Sequence, residues 1–531
     1  MTAAERPRTL PAAGEETLAA QIARGSAGHG GVSVVFAGAG GDRETTVRKV
    51  AADAERVAGA LQGHGIGPGD VVAVQLGSTY EGAVVQAAVA LSGAVLLPIV
   101  QIYGPRELGF ILRQSGAVML VLPEAFRGRV HAATVLRALE RPSGLRTVVV
   151  VGSLPDDVHG AVSFADLVQR PGAPYTAPVL DRDARAMLVY TSGTTSDPKG
   201  VQHSHRTLLA ELFSPVMTRP LRQLALFPAG HVAGLLGLLR VLVHGCPTVV
   251  LEAWDPARAA QLVDEHRLTY GVGAPVQLAG LLDEQARGTA TLATLAEFMT
   301  GAAGVPPALI QRAEAAGIAA YRCYGSSEHP TISTGHPFDP LDKRANTDGR
   351  IIEGTEVRIV DDEGVDLPTG AEGEIVSRGG ELFLGYTDSD LDREAFLPGR
   401  WFRTGDVGRL DAEGYLTITD RKKDIIIRGG ENISSKQVED VLAEHPAVLD
   451  VAAIGLADPL LGERVCVVVT LRPGLHLDLA AVREHFAASG LARQKTPERV
   501  EVVDELPRTP SGKIQKFELR RRFADHGAAA R

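Results

Sequence analysis

The sequence predicts an α/β protein, with a large multi-layered N-terminal domain of β-sheets and helices followed by a small α+β C-terminal domain. Three observations predict it. Up to about residue 350, short β-rich runs alternate with longer helical patterns, the rhythm of layered α/β folds. Beyond that point the pattern turns strand-dense, with glycine turns. Near residue 420 the compact charged segment Asp420-Arg-Lys-Lys-Asp424 joins a strand (Tyr415 to Thr419) to Ile425-Ile-Ile and a Gly-Gly turn, which places a boundary between domains 1–420 and 421–531.

The elements follow in order. Val71-Val-Ala-Val reads as a strand ahead of a helix from Tyr80, and Val95-Leu-Leu precedes a helix opening at Pro105-Arg-Glu-Leu. Between them, Gly82 to Val100 is apolar for about the length of a bilayer span, but Gln86, Ser92, Gly93 and Pro98 divide it into a helix and the strand Val95-Leu-Leu-Pro-Ile. Buried core is the expectation there. Ala186-Met-Leu-Val-Tyr precedes a polar loop and another helix, and Leu224-Ala-Leu-Phe, Thr248-Val-Val-Leu and Leu268-Thr-Tyr-Gly-Val each stand ahead of an apolar helical stretch. In the C-terminal part, Ser434 with Gln437 three residues on forms a capping box before Val438, Val441 and Leu442 at helical spacing.

Composition narrows the function. The 531 residues are 45% hydrophobic and 22% charged, ordinary for a globular protein of several domains. Lys and Arg number 54 against 64 Asp and Glu, and the net charge of -10 disfavours nucleic acid and anionic lipid as partners. From Arg421 onward there are 18 basic and 16 acidic residues, so that part is net positive while the rest is strongly negative, which suits a lid approaching a polyanion. Cys246, Cys323 and Cys466 are odd in number and show no CxxC pattern, so neither a disulfide framework nor a zinc site is expected. All three read as core thiols. A reducing, cytoplasmic setting fits, and the N-terminus shows no cationic head with an apolar core.

The chemistry begins at Tyr190-Thr-Ser-Gly-Thr-Thr-Ser-Asp-Pro-Lys-Gly-Val201. After a strand, the hydroxyls of Thr191, Ser192, Thr194 and Thr195, the backbone around Gly193 and the charge of Lys199 are suited to holding phosphate oxygens. Gly200 follows the lysine, so the Walker pattern is not met, and on composition alone a flexible Ser/Thr turn stands as the alternative. The loop resembles the signature of the adenylate-forming superfamily, which contains acyl-CoA synthetases, firefly luciferase and peptide-synthetase adenylation domains. Other segments resemble that family's motifs in the same order: Pro228-Ala-Gly-His-Val-Ala-Gly234 its acid-pocket gate, Tyr324-Gly-Ser-Ser-Glu328 its YGxTE motif, and Trp401-Phe-Arg-Thr-Gly-Asp406 its TGD motif. Asp420-Arg-Lys-Lys-Asp424 resembles the hinge and Pro507-Arg-Thr-Pro-Ser-Gly-Lys513 the C-terminal lysine loop, so the likeness spans about residues 70 to 520.

The resemblance implies the roles. Glu328 and the Thr191 hydroxyl hold Mg²⁺ near the phosphates of ATP. Gly301, Ala302, Tyr324, Gly325 and Ser327 border the nucleotide, Tyr324 offering a flat face to adenine, while Asp406 accepts the ribose hydroxyls and Arg421 braces the same sugar. His231, Val232, Ala233, Gly234 and Ala303 line the acid pocket. Lys513 stabilises the charge that builds between carboxylate and α-phosphate. The C-terminal domain is mobile by the same likeness, turning about Lys423 to present Gly429 and Gly430 to the pantetheine arm of coenzyme A. His203 and His205 read as packing or capping the next helix. Ser196 and Ser327 stand where the family favours glycine and threonine, and both keep a small polar group.

The implied activity is ATP-dependent ligation of a small-molecule carboxylic acid to coenzyme A. The small residues near the gate leave room for an aryl, alicyclic or medium-chain acyl group. Two alternatives share every ATP motif: loading a carrier protein, and activating an unusual oxyacid such as nitrite. A homodimer also stays open.

Overall fold

Valine-rich strands and the helices that cover them decide how the chain is layered. The structure is a computed structural model describing residues 17–101, 103–126, 129–139, 142–154, 160–169, 174–191, 198–214, 221–422, 424–428, 431–458, 461–489, 491, 495–509 and 512–524. One sheet of eight strands has a parallel centre in which Val71–Val74 lies between Val95–Pro98 and Ala117–Pro123. Arg185–Thr191 joins it in parallel and turns back as Lys199–Ser204, whose outer edge pairs with Gly385–Tyr386. A second sheet, of nine strands, has a parallel centre that includes Ser33–Gly38, Thr248–Leu251, Gln223–Ala225, Tyr270–Gly273, Glu297–Thr300 and Ala319–Tyr324.

Strand alternation sets what each face covers. Val34 and Phe36 of the nine-stranded sheet share one core with Val72 and Val74 of the other, filled by helices Val47–Gly63, Tyr80–Ser92 and Val232–His244. Val35 and Ala37 face helices Pro256–His266, Pro275–Arg287 and Pro307–Ala315, and Val71 and Ala73 face Pro105–Ser115 and Ala132–Ala138. The result is a stack of helix, sheet, helix, sheet, helix, with both sheets covered on both sides, as parallel sheets require. The apolar stretch that reaches bilayer length is the central helix Tyr80–Ser92, ended by Gly93 at φ 77°, followed by the buried strand Val95–Pro98. No described helix is long and apolar enough to cross a membrane.

The strand-dense part is an antiparallel sheet built from Thr355–Val360, Gly373–Gly379, Trp401–Leu410 and Leu416–Arg421, with the short Phe396–Leu397 at its edge. A fourth sheet begins at Ile426–Arg428 and continues through Glu431–Ile433, Gly462–Leu471, Val448–Asp458 and Arg499–Val502. Helices Ser435–Ala443 and Leu479–Ala488 pack on one face of it and Lys516–Ala524 on the other, each with its own core. The architecture is therefore α/β with a large N-terminal part and a small C-terminal one. Ser435 ties the two together, its backbone N–H donating to Asp420 Oδ2 at 2.7 Å and its hydroxyl to Oδ1 at 3.1 Å.

Two local readings change. Lys199–Ser204 is a strand where a loop leading into a helix is expected, because it runs between two partner strands that satisfy its backbone on both sides. Only half of the capping box forms. Ser434 accepts from the Gln437 N–H at 3.2 Å, but the Gln437 side chain accepts from Lys495 Nζ at 2.6 Å instead of reaching back.

Candidate active site

A cavity of about 940 Å³ opens where the carboxyl ends of the two parallel sheets meet the antiparallel sheet and the C-terminal part. Glu328 reaches it from the loop after strand Ala319–Tyr324. That loop is tied from within: the Ser326 hydroxyl accepts from the N–H groups of Glu328 and His329, both at 3.2 Å, and the Ser326 N–H donates to the His329 carbonyl at 2.9 Å. Gly325 is required there, since a Cβ would lie 1.9 Å from the Pro330 carbonyl oxygen. His203 pins the loop from outside. Its Nε2–H donates to the Ser327 carbonyl at 2.7 Å while Nδ1 faces the Thr207 hydroxyl at 3.1 Å, and burial lowers its pKa, which keeps it neutral. His205 is the first residue of the helix His205–Leu212, and its Nδ1 accepts the Leu18 N–H at 3.2 Å, so both histidines pack around that helix.

The Glu328 carboxylate is aimed by Tyr386, whose hydroxyl donates to Oε1 at 2.8 Å, and Lys199 Nζ stands 5.3 Å from the centre of the Tyr386 ring. Strand pairing between Val201 and Tyr386 explains the adjacency. Asp406 is 5% exposed and accepts the Tyr324 hydroxyl at Oδ2 (2.7 Å) and Arg421 Nε at Oδ1 (2.9 Å). Each carboxylate oxygen has capacity for a further donor.

Lys513 borders the same cavity from the C-terminal part. Its turn is closed by Thr509, whose N–H donates to the Lys513 carbonyl at 2.7 Å and whose hydroxyl accepts the Lys513 N–H at 3.1 Å. It faces His231, the residue before the helix Val232–His244. Burial first, and the Lys513 charge second, bring the His231 imidazole down to about 4, so it is uncharged near neutrality.

Of the residues singled out from sequence, Thr191, Lys199, Ala302, Tyr324, Gly325, Ser327 and Glu328 line the cavity. So do Asp406, Arg421, Lys513 and the run His231, Val232, Ala233, Gly234. Gly301 and Ala303 do not. Gly301 packs against Cys323, where a Cβ would come within 2.5 Å of Sγ, so its small size serves packing. Gly234 is small for a similar reason, with a Cβ placed 2.1 Å from the Pro228 carbonyl oxygen. Ser192, Gly193, Thr194, Thr195, Lys423, Gly429 and Gly430 lie outside the described residues. The core-thiol expectation holds for Cys466, whereas Cys246 and Cys323 are partly exposed and Cys323 borders the cavity. Burial pushes the Cys323 thiol up to about 12, so it stays protonated.

Sequence reasoning passed over Tyr386, Glu211, Gln223 and Arg240, all on the cavity wall. Arg240 carried a signal: it is the one formally charged residue in the apolar helix Val232–His244.

Residues 23–387 match the family described as AMP-binding enzyme, and residues 437–513 match its C-terminal domain. The chain belongs to the AMP-binding enzyme family. The medium-chain fatty-acid–CoA ligase of Escherichia coli K12 is 34% identical over 464 residues, 86% of this chain and 82% of that one. The 3-[(3aS,4S,7aS)-7a-methyl-1,5-dioxo-octahydro-1H-inden-4-yl]propanoyl:CoA ligase of Rhodococcus jostii is 33% identical over 535 residues, 97% of this chain and 99% of that one. Among solved structures, the anthranilate CoA ligase AuaEII in complex with anthranoyl-AMP superposes with a TM-score of 0.86 at 27% identity, covering 97% of this chain and 98% of that one.

Proposed function

We propose that the chain is an ATP-dependent carboxylic acid:CoA ligase acting in the cytoplasm on a medium-chain, alicyclic or aromatic acid. The carboxylate attacks the α-phosphate of ATP, forming a P–O bond to the acyl group and releasing pyrophosphate. The thiol of coenzyme A then attacks the acyl carbonyl, and the C–O bond to AMP breaks. The observation that carries this reading is one cavity shared by Lys513, by the Glu328 and Asp406 carboxylates, and by the His231 gate.

Each residue has a task in the first step. Asp406 and Arg421 hold the ribose, and Tyr324 lies beside the base. Lys513 places a cation between the acid and the phosphate, where two anions meet, and so stabilises the transition state more than the ground state. The donor set suits Mg²⁺: the second oxygen of Glu328 has no hydrogen bond among the described residues, and the Thr191 hydroxyl borders the same space. Mg²⁺ held there would neutralise charge on the departing pyrophosphate. The 1–420 and 421–531 division, with a turn about Lys423 that brings Gly429 and Gly430 to the thiol, belongs to the same reading. The cavity volume lies at the upper end for small-molecule sites, which fits two substrates held together.

The test is pyrophosphate release against a panel of aryl, alicyclic and medium-chain acids, with and without coenzyme A, following acyl-CoA by mass. A CoA-dependent acyl-CoA product supports the reading. Pyrophosphate release that ignores coenzyme A would replace it with a carrier protein or a non-thiol acceptor.

A further inference from the structure

Among Leu236, Val272 and Met299 the cavity is also lined by Arg240, Glu211, Gln223 and Thr331, polar groups that a pocket for a plain hydrocarbon chain does not need. Arg240 pairs through one terminal nitrogen with Glu211, and its side chain is 12% exposed against 2% for Glu211. Thr331 closes the group, its hydroxyl donating to Glu211 at 3.2 Å and its N–H to Glu381 at 3.1 Å. Burial, then the adjacent Glu211 charge, raise Glu381 well above the usual carboxylate range, which favours its protonated form beside Glu211. Gln223 is 7% exposed, lines the cavity, and its side-chain amide makes no hydrogen bond among the described residues. Arg240 likewise makes none beyond the Glu211 pair. The Arg240 Nε is itself buried with no partner among the described residues, and a buried unsatisfied donor is costly unless a ligand meets it.

Position and charge restrict that ligand. Arg240 is nine residues beyond His231 along one helix, a rise of about 13 Å, so it sits at the far end from the reacting carboxylate. Arg240 and Glu211 cancel, and the Glu381 carboxyl adds no positive charge in either protonation state. A second carboxylate on the substrate would therefore be buried without net compensation, whereas a neutral oxygen would only complete the hydrogen bonding.

We infer that this end of the cavity is a recognition subsite for a neutral oxygen, a ketone or hydroxyl, carried by the acid remote from its carboxylate, with Arg240 and Gln223 as its hydrogen-bond partners. The inference rests on the acid:CoA ligase reading and names the class of acid within it. A site built to hydrogen-bond an oxygen rejects the analogue that lacks it, because its own polar groups are then stranded.

The experiment compares kcat/KM for pyrophosphate release with matched medium-chain and cyclic acids, with and without a ketone at the end remote from the carboxylate. The unmodified enzyme is expected to prefer the oxo acids by ~10²-fold or more, and to reject the corresponding diacids. R240M/E211Q removes both charges together, so that neither is left buried alone, and brings the ratio close to one. Gln223→Leu, a neutral change, lowers the ratio several-fold and keeps the test open if the double variant fails to fold. Plain acids used as well as oxo acids by the unmodified enzyme, or a preference untouched in both variants, would overturn the subsite and leave the ligase reading standing. If no acid of the panel supports pyrophosphate release, the ligase reading falls and the subsite falls with it.

Discussion

Single side chains at the cavity are each held by a neighbour that restricts what they can do. Lys513 carries its charge into the space beside a neutral His231, and Lys513→Ala is expected to slow acyl-adenylate formation by roughly 10²-fold or more, the size usual for losing one preorganised electrostatic contact. Pyrophosphate exchange measures it, and a rate within a few-fold of the unmodified enzyme would remove Lys513 from the first step. Thioester formation from supplied acyl-adenylate should persist in the same variant. Tyr386 acts one contact further out. Tyr386→Phe removes the 2.8 Å hydrogen bond that aims Glu328, a bond to a charged group worth about 1.5–3 kcal/mol. The expected result is a raised KM for ATP and a higher Mg²⁺ requirement, with the KM for the acid little changed; an unaltered Mg²⁺ titration would make the contact merely structural.

At the scale of elements, the loop from Gly325 to Pro330 is the part most sensitive to size. Its turn brings Gly325 against the Pro330 carbonyl so closely that no Cβ fits, and the same turn sets Glu328 between Ser326 and Tyr386. Gly325→Ala should displace backbone, costing on the order of 1–3 kcal/mol of stability and most of the adenylation activity. Thermal denaturation alongside pyrophosphate release checks both, and a variant with unchanged melting temperature and rate would refute the packing argument. The helix Val232–His244 shows another use of an element: His231, just before it, and Arg240, nine residues further on, both line the cavity.

For the whole molecule, buried neutral histidines make folding depend on pH. His205 and His329 are 2% and 0% exposed, and burial, the largest cause in each, brings them to about 4 and about 3 from the ordinary 6.5. Between those values the unfolded chain binds protons that the folded one refuses, so stability rises with pH and is lost as pH falls from about 6.5 towards 4. Each residue contributes on the order of 3 kcal/mol to that loss by about pH 4. Denaturant midpoints across this window should fall steeply, and less so for His329→Gln; a flat profile would contradict the burial argument.

Periodicity and turn chemistry in the sequence by themselves determined the layered α/β class, the breaking of the apolar Gly82 to Val100 stretch into helix and strand, and the change of character near Asp420. These follow from local preference and from side-chain spacing along one chain segment. The adenylate-forming resemblance, with Glu328, Asp406 and Lys513 placed on it, was also legible, because short contiguous motifs carry those residues. Tertiary structure decided what no contiguous segment encodes. Tyr386 lies 58 residues from Glu328, and Glu211, Arg240 and Glu381 come from separate elements, so their shared hydrogen bonds exist only once the sheets have stacked. It also decided why Gly234 and Gly301 are glycine, since each meets backbone or a side chain from another segment, a distance that spacing along the sequence does not contain.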